Sequence, residues 1–374
     1  MSRRKKGRTT IADVAARAGV SPITVSRALR EPARVSEPLR RRIDAAVRAL
    51  NYVPDQHARA LASARTNVVG VLIPSLTNTV FADVMRGIHD RAEKTDLQVQ
   101  FANTRYSPLE EERLIRLFLS QSPAGLIVVG IDQTAAAAKL LRAAELPVVQ
   151  IMELGPEPFD MMVGFSQFEA GRAMTEHLLS AGYRRIAFLA ARLDPRSNRR
   201  MAGYSAVMAE AGLADDSLMV QTKAPSSVQV GCELLREIIA RRPDVDAVFC
   251  NNDDIALGAL FECQRQGIAV PAQLGIAGFN DFEMSAAAEP PITSVATERY
   301  AMGVAAMDMI AKTIAGEPPA EKVVDLGFHL CPRASTRPGR LAAAARPRET
   351  AAKEPGGKEG STRPRKLRSK EMRG

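Results

Sequence analysis

Ile23 and Arg27 stand four residues apart in the stretch SPITVSRAL, a spacing that puts both on one face of a helix. An arginine held there can donate two parallel hydrogen bonds to O6 and N7 of a guanine, and an isoleucine can meet a thymine methyl. The neighbouring residues predict the helix that would hold them. Ser21 is a favoured N-cap, and Pro22 fits the first helical position, where its missing N–H costs nothing. Val25 and Leu29 fall on the inner face, which leaves Pro22, Ile23, Ser26 and Arg27 looking outward. Upstream, Thr10 can cap a short helix whose apolar positions Ile11, Val14, Ala15 and Ala18 recur at helical spacing; Gly19 stops it and Val20 turns inward. A third helix over residues 37–50 can close a small core with Leu39, Ile43, Val47 and Leu50. Two short helices around a glycine turn, the second presenting a few side chains, make the helix-turn-helix pattern that lays its second helix in a DNA major groove.

The plain alternative is a three-helix bundle with no nucleic-acid role, and charge argues against it. Residues 1–65 hold fifteen Lys/Arg against five Asp/Glu, a net of +10. So small a bundle gains no stability from this self-repulsion, whereas phosphate binding uses it directly. The remaining charge is unevenly spread. Residues 333–374 carry a net of +9, so the chain total of +9 leaves −10 for residues 66–332. Nonspecific adhesion to DNA therefore belongs to the ends. The basic C-terminal stretch lacks apolar periodicity and is interrupted by Pro and Gly, which predicts a disordered tail over 334–374. An inert extension and an auxiliary DNA contact are both open to it.

At 374 residues and 46% apolar composition, the chain can bury a large core and must hold more than one domain. It has no apolar run of membrane-spanning length, and residues 1–8 lead into a polar helix rather than a signal sequence, so a cytoplasmic protein with no membrane partner is expected. The four cysteines lack CxxC spacing and the four histidines are scattered, so neither a disulfide nor a metal site is expected.

From Asn67 the pattern changes to strand–helix alternation. Apolar runs VVGVLI, LQVQFA, AGLIVVG and PVVQIM are followed by a second series, RIAFLA, AVFCNN and LGIAGF, each run separated by helical stretches. Such repeats imply parallel sheets with helices on both faces, and two series of similar layout imply two α/β lobes side by side. Ligands of open α/β sheets sit beyond the carboxyl ends of the strands. Those ends include Ser75 and Asn78, Asn103 and Thr104, Asn251 to Asp253, and Phe279 to Asp281, short hydrogen-bonding side chains suited to a small polyhydroxylated molecule. No GxGxxG or GxxxxGK loop follows a strand and no nucleophile motif is visible, so neither a nucleotide cofactor nor an enzyme is expected. The clamp alone would also fit a transport-type sugar-binding protein. That reading needs an export signal and leaves the basic helix-turn-helix unused.

The stretches DVAARAGVSPITVSRAL, ARVSEPLRRRIDAAVRALNYVPD and ARALAS resemble the headpiece and hinge of the lactose/galactose-type (LacI) repressor family. The likeness continues through GVLIPSLTNTVFADVMRGI, VFCNNDDIALGALFECQRQGI and IAGFND to about residue 333, and these later segments most resemble the family's gluconate-operon branch. The resemblance implies an all-α headpiece (10–54, after a basic arm, 1–9) joined by a hinge helix (55–65) to a two-lobed clamp like the periplasmic binding proteins (66–333). It implies three crossings between the lobes, near 163–165, 290–292 and 323–324. The expected protein is a homodimeric, ligand-controlled repressor binding a near-palindromic operator, with gluconate or a related sugar acid as effector; a neutral sugar or a purine is the alternative.

The candidate DNA-contacting residues are Thr10, Ser21, Pro22, Ile23, Thr24, Ser26, Arg27, Arg34, Asn51, Tyr52, Leu61 and Ala62. In the family, paired hinge helices push a leucine into the minor groove, and Leu61 is the residue that matches. The segment 56–64 is too short for a stable isolated helix, so it is expected to fold only on the operator. The candidate effector residues are Ser75, Asn78, Phe165, Arg200, Asn252, Asp253 and Asn280. Arg200 matches the family's cleft arginine and Asn252-Asp253 its cleft pair, although that pair also reads as a helix cap. Phe165 reads equally as ligand contact or hinge packing. Asn280 stands where the family commonly carries an aspartate, a departure from the pattern for neutral sugars.

Overall fold

The computed structural model describes residues 9–53 and 66–337. The expected basic arm, the hinge segment with Leu61 and Ala62, and nearly all of the expected tail lie outside the described residues.

In the first segment, α1 (Ile11–Ala18), α2 (Pro22–Arg30) and α3 (Glu37–Ala49) begin where their caps predict. Thr10 and Asp13 cap α1 reciprocally, each side chain accepting from the other's amide. Gly19 takes the left-handed conformation that ends the helix (φ 62°), and Arg42 of α3 donates to the freed carbonyl of Ala18 at 2.6 Å. Val14, Val25 and Ile43, one from each helix, are fully buried and form the centre of the core.

The second segment forms two lobes. In the first, β1 (Val68–Ile73), β2 (Gln98–Asn103), β3 (Gly125–Val129), β4 (Val148–Ile151), β5 (Met161–Gly164) and the late strand β11 (Val323–Asp325) make a parallel sheet of order β11-β5-β4-β3-β1-β2. Alternation along β1 sends Val69, Val71 and Ile73 to one face and Leu72 to the other, so both faces are buried. Helices α4 (Val80–Ala92), α5 (Pro108–Ser120) and α6 (Ala135–Arg142) cover them, together with α12 (Arg299–Ile314), which packs along α4. The second lobe is a parallel sheet of order β7-β6-β8-β9, from β6 (Ile186–Ala191), β7 (Met219–Thr222), β8 (Ala247–Cys250) and β9 (Gly275–Ala277). It is flanked by α7 (Gln167–Ser180), α8 (Pro195–Glu210), α9 (Val228–Arg241) and α10 (Asp253–Gln266). Gly171 and Gly203 let α7 and α8 touch backbone to backbone: a Cβ on either would lie 2.2–2.3 Å from a carbonyl oxygen of the other helix.

The first crossing falls after β5, as expected. The other two lie a few residues later than expected. After the short α11 (Glu283–Ala287), Ile292 is still in the second lobe's core, and the chain crosses along β10 (Ser294–Thr297). Val323 and Val324 belong to the first lobe's sheet, and the return runs along β12 (Phe328–Cys331), antiparallel to β10. The two crossing strands pair with each other because each would otherwise carry unpaired backbone groups between the lobes. The packed chain also runs beyond residue 333. Ser335 is fully buried, its amide donating to Pro291, its carbonyl accepting from Ile276 and its hydroxyl donating to Ile276, so the second lobe extends to Arg337.

Candidate functional site

On the headpiece, α2 presents the expected face. Ile23 is 70% exposed, and Pro22 and Arg27 are exposed beside it, whereas Val25 is fully buried. The Ser21 hydroxyl accepts from the Thr24 amide at 3.2 Å and lies 2.8 Å from the Thr24 hydroxyl, so both residues hold the start of the helix. Ser26 is half-buried; Thr10 is exposed at the α1 cap. Arg34 is exposed and paired with Glu31 at 2.9 Å. Asn51 takes a left-handed turn (φ 45°), and Tyr52 packs partly into the core.

The second candidate site is the cleft between the lobes. Strand pairing puts the ends of β1, β2 and β3 side by side in one lobe, and those of β6, β7 and β8 in the other. Between them is a small inner space lined by Asn78, Tyr106, Arg196, Arg200, Asn252 and Asn280, among others. An outer chamber of about 450 Å³ adjoins it and shares Tyr106, Arg192, Asp194 and Arg196.

Asn78 donates to the Tyr106 hydroxyl at 3.1 Å. Asn252 caps α10 by accepting from the Ile255 amide, while its side chain exchanges hydrogen bonds with Ser226. Asn280 has φ 103°, a left-handed setting that asparagine tolerates better than most residues, and its carbonyl accepts from Arg299. Arg200 is buried: its Nε donates to Gln167 Oε1 and a terminal nitrogen to the Asn251 carbonyl, both at 2.6 Å, and it lies 3.8 Å from the centre of the Phe279 ring. Burial pulls its pKa down to about 10, which still leaves it charged at neutral pH.

Three expected effector residues stand elsewhere in the structure. Ser75 accepts from the amides of Thr77 and Asn78, so its hydroxyl shapes the turn after β1 and does not line the inner space. Phe165 is buried between Phe279 and Phe328, with ring centres 6.4 Å apart in each case, which is the hinge-packing alternative. Asp253 is fully buried behind the cleft wall, accepting from the Phe282 amide at 2.6 Å and the Ser294 hydroxyl at 2.8 Å. Burial, opposed by those hydrogen bonds, pushes its pKa up to about 7. It braces the start of α10 against the crossing strand β10.

Tyr106, Arg192 and Arg196 escaped the sequence reading. Arg192 lies over the Tyr106 ring at 4.2 Å, joining the lobes. Arg196 is buried one helical turn before Arg200, and Asp194 caps that helix by accepting from the amides of Arg196 and Ser197. The i, i+4 spacing of Arg196 and Arg200 was the available signal. Burial works to raise the Asp194 pKa, but Arg196, Arg200 and the two amides outweigh it and hold the carboxylate ionised.

A helix-turn-helix whose second helix exposes Ile23 and Arg27, together with a two-lobed clamp around a cationic, amide-lined cleft, defines a DNA-binding regulator of the ligand-responsive kind. Comparison with known proteins agrees. Residues 10–55 match the family of bacterial regulatory proteins of the lacI type, and residues 175–336 match a periplasmic binding protein-like domain. The HTH-type transcriptional regulator GntR of Pseudomonas aeruginosa is 43% identical over 333 residues, covering 89% of this chain and 97% of the relative. A LacI-family transcriptional regulator from Silicibacter pomeroyi has a crystal structure that superposes with a TM-score of 0.83 at 37% identity, covering 87% of this chain and 99% of that one. The lac repressor dimer bound to operator and an anti-inducer gives a TM-score of 0.76 at 25% identity, with 88% and 99% covered. The chain belongs to the lacI family of bacterial regulatory proteins, and it is a transcriptional regulator rather than an enzyme. No helix among the described residues is long and apolar enough to cross a membrane.

Proposed function

We propose that this regulator is a homodimeric, cytoplasmic repressor whose hold on a near-palindromic operator is controlled by gluconate or a related sugar acid. The observation that carries the effector reading is the pair of buried guanidinium groups, Arg196 and Arg200, beside a chamber of about 450 Å³ whose wall holds the Gln133 amide, Glu111 and Lys223. Cations suit a carboxylate, and amides suit hydroxyls, which both donate and accept. A purine is disfavoured because a guanidinium takes one face of each nearby ring, Phe279 under Arg200 and Tyr106 under Arg192, which reduces the surface left for stacking. The likeness to the gluconate-operon branch supports the same effector by analogy.

In this reading, one headpiece of the dimer sits in each half-site, with Ile23 and Arg27 at base edges. The effector holds the lobes in an arrangement that moves the two headpieces out of register with the half-sites and so weakens their joint hold on the operator. Calorimetric titration of the whole protein with gluconate, galactose and hypoxanthine tests the effector. Gluconate is expected to bind; silence towards gluconate at millimolar concentration, with clear binding of galactose or hypoxanthine, overturns the reading.

A further inference from the structure

Arg200 occupies the position that the family likeness assigns to the effector, yet it is already anchored within the protein, with two of its five N–H donors engaged. Gln167 and the Asn251 carbonyl take two of its donors, and Phe279 takes one face. Arg196 is equally buried, at 7% exposure, but among the described residues its guanidinium makes no hydrogen bond. Its nearest carboxylate is Asp194, 3.6 Å from Nε, and that oxygen already accepts the two amides at the start of α8. Its other neighbour is the Phe81 ring, whose centre is 5.4 Å away. A buried cation held by an aromatic face and one distant, shared carboxylate keeps its N–H donors available to an anion.

The space around Arg196 points the same way. The inner space holds about 30 Å³, room for about one water molecule. The outer chamber, at about 450 Å³, is of the size that takes small molecules. Its wall contains Gln133, which donates to the Val129 carbonyl and to Glu111 but keeps a buried Oε1 that receives no hydrogen bond. Burial raises the pKa of Glu111 on the same wall, and Lys223 stands on the opposite lobe. An unpaired acceptor, a carboxyl group and an ammonium suit the hydroxyls of a polyol chain.

We infer that Arg196 receives the effector's carboxylate, that the hydroxylated chain lies in the outer chamber between Glu111, Gln133 and Lys223, and that Arg200 is a positioning residue. The inference rests on the sugar-acid reading above and adds which residue selects the acid and where the chain lies. Its signature is discrimination between an acid and the matching neutral polyol.

The test is calorimetry of the full-length protein with gluconate, galactonate and glucitol, for wild type, Arg196→Gln, Arg196→Lys and Arg200→Gln, with operator binding in the absence of effector as the check on folding. Arg196→Gln is expected to weaken binding of the acids by at least about 30-fold and erase their preference over glucitol, as loss of one partner of a buried charge pair should. Arg196→Lys should restore part of that preference. Arg200→Gln should weaken acids and polyol together. An Arg196→Gln protein that prefers acids as strongly as wild type overturns the assignment and leaves the sugar-acid reading standing. A wild-type protein that binds neither acid overturns both.

Discussion

Arg199 on α8 of one lobe grips Asp132 at the end of β3 of the other, with hydrogen bonds of 2.6 and 2.8 Å to its two carboxylate oxygens. The same guanidinium lies 3.7 Å from Glu153, whose Oε2 is buried without a hydrogen-bond partner. This pair joins the two lobes and so favours the arrangement seen here. Its members are about one third exposed, so solvent screens them and their contribution is about 1 kcal/mol or less. Arg199→Ala should therefore weaken effector binding by no more than about 5-fold, less at high salt, which titration at two ionic strengths will measure.

Asp253 makes stability depend on pH in an unusual direction. Its carboxyl stays protonated in the folded protein up to about pH 7, whereas in the unfolded chain it loses its proton near pH 4. Between those values the folded state binds the extra proton, so this group's contribution to stability falls as pH rises from about 4 to 7. Asp253→Asn can still accept from the Phe282 amide and remains neutral throughout. Its melting temperature should lack that decline, and a wild-type and variant pair with parallel pH profiles would contradict the assignment.

Gly278 lies against the same carboxylate: a Cβ there would sit 2.1 Å from Asp253 Oδ1. Gly278→Ala must displace a side chain that is hydrogen-bonded on both oxygens, and overpacking of this kind costs about 1–3 kcal/mol. Denaturant unfolding of the variant will show the loss.

Arg27→Ala should reduce the preference for operator over random duplex by roughly 5- to 150-fold, the worth of one bidentate base contact, while weak salt-sensitive binding remains. Competition gel shifts read both quantities. Unchanged preference would remove Arg27 from base reading.

The headpiece was legible because its signals are local: Thr10, Gly19 and Ser21 act on residues within a turn of themselves. The two lobes were legible from strand–helix alternation, and Arg200 from the likeness of NRRMAGY to the family's cleft segment. Other features depended on distant partners. Asp253 is sealed by Phe282 and Ser294, which stand 29 and 41 positions further along the chain. Nothing near Asp253 distinguishes a buried brace from an effector contact. Arg196 looks from its neighbours like any cation early in a helix, and the Phe81 ring of the other lobe, 5.4 Å from its guanidinium, is what covers it. The later crossings shifted because pairing of β10 with β12 sets them, and no local pattern encodes that pairing.

The central claim is that a sugar acid in the cleft and DNA on the headpieces act on one equilibrium. Fluorescence anisotropy of an operator duplex, selected from random sequences with the full-length protein, tests it most directly when titrated with and without saturating gluconate. Coupling predicts that gluconate weakens operator binding by roughly 5- to 150-fold, and that operator weakens gluconate binding by the same factor. Gluconate that binds the protein while operator affinity stays the same would contradict it.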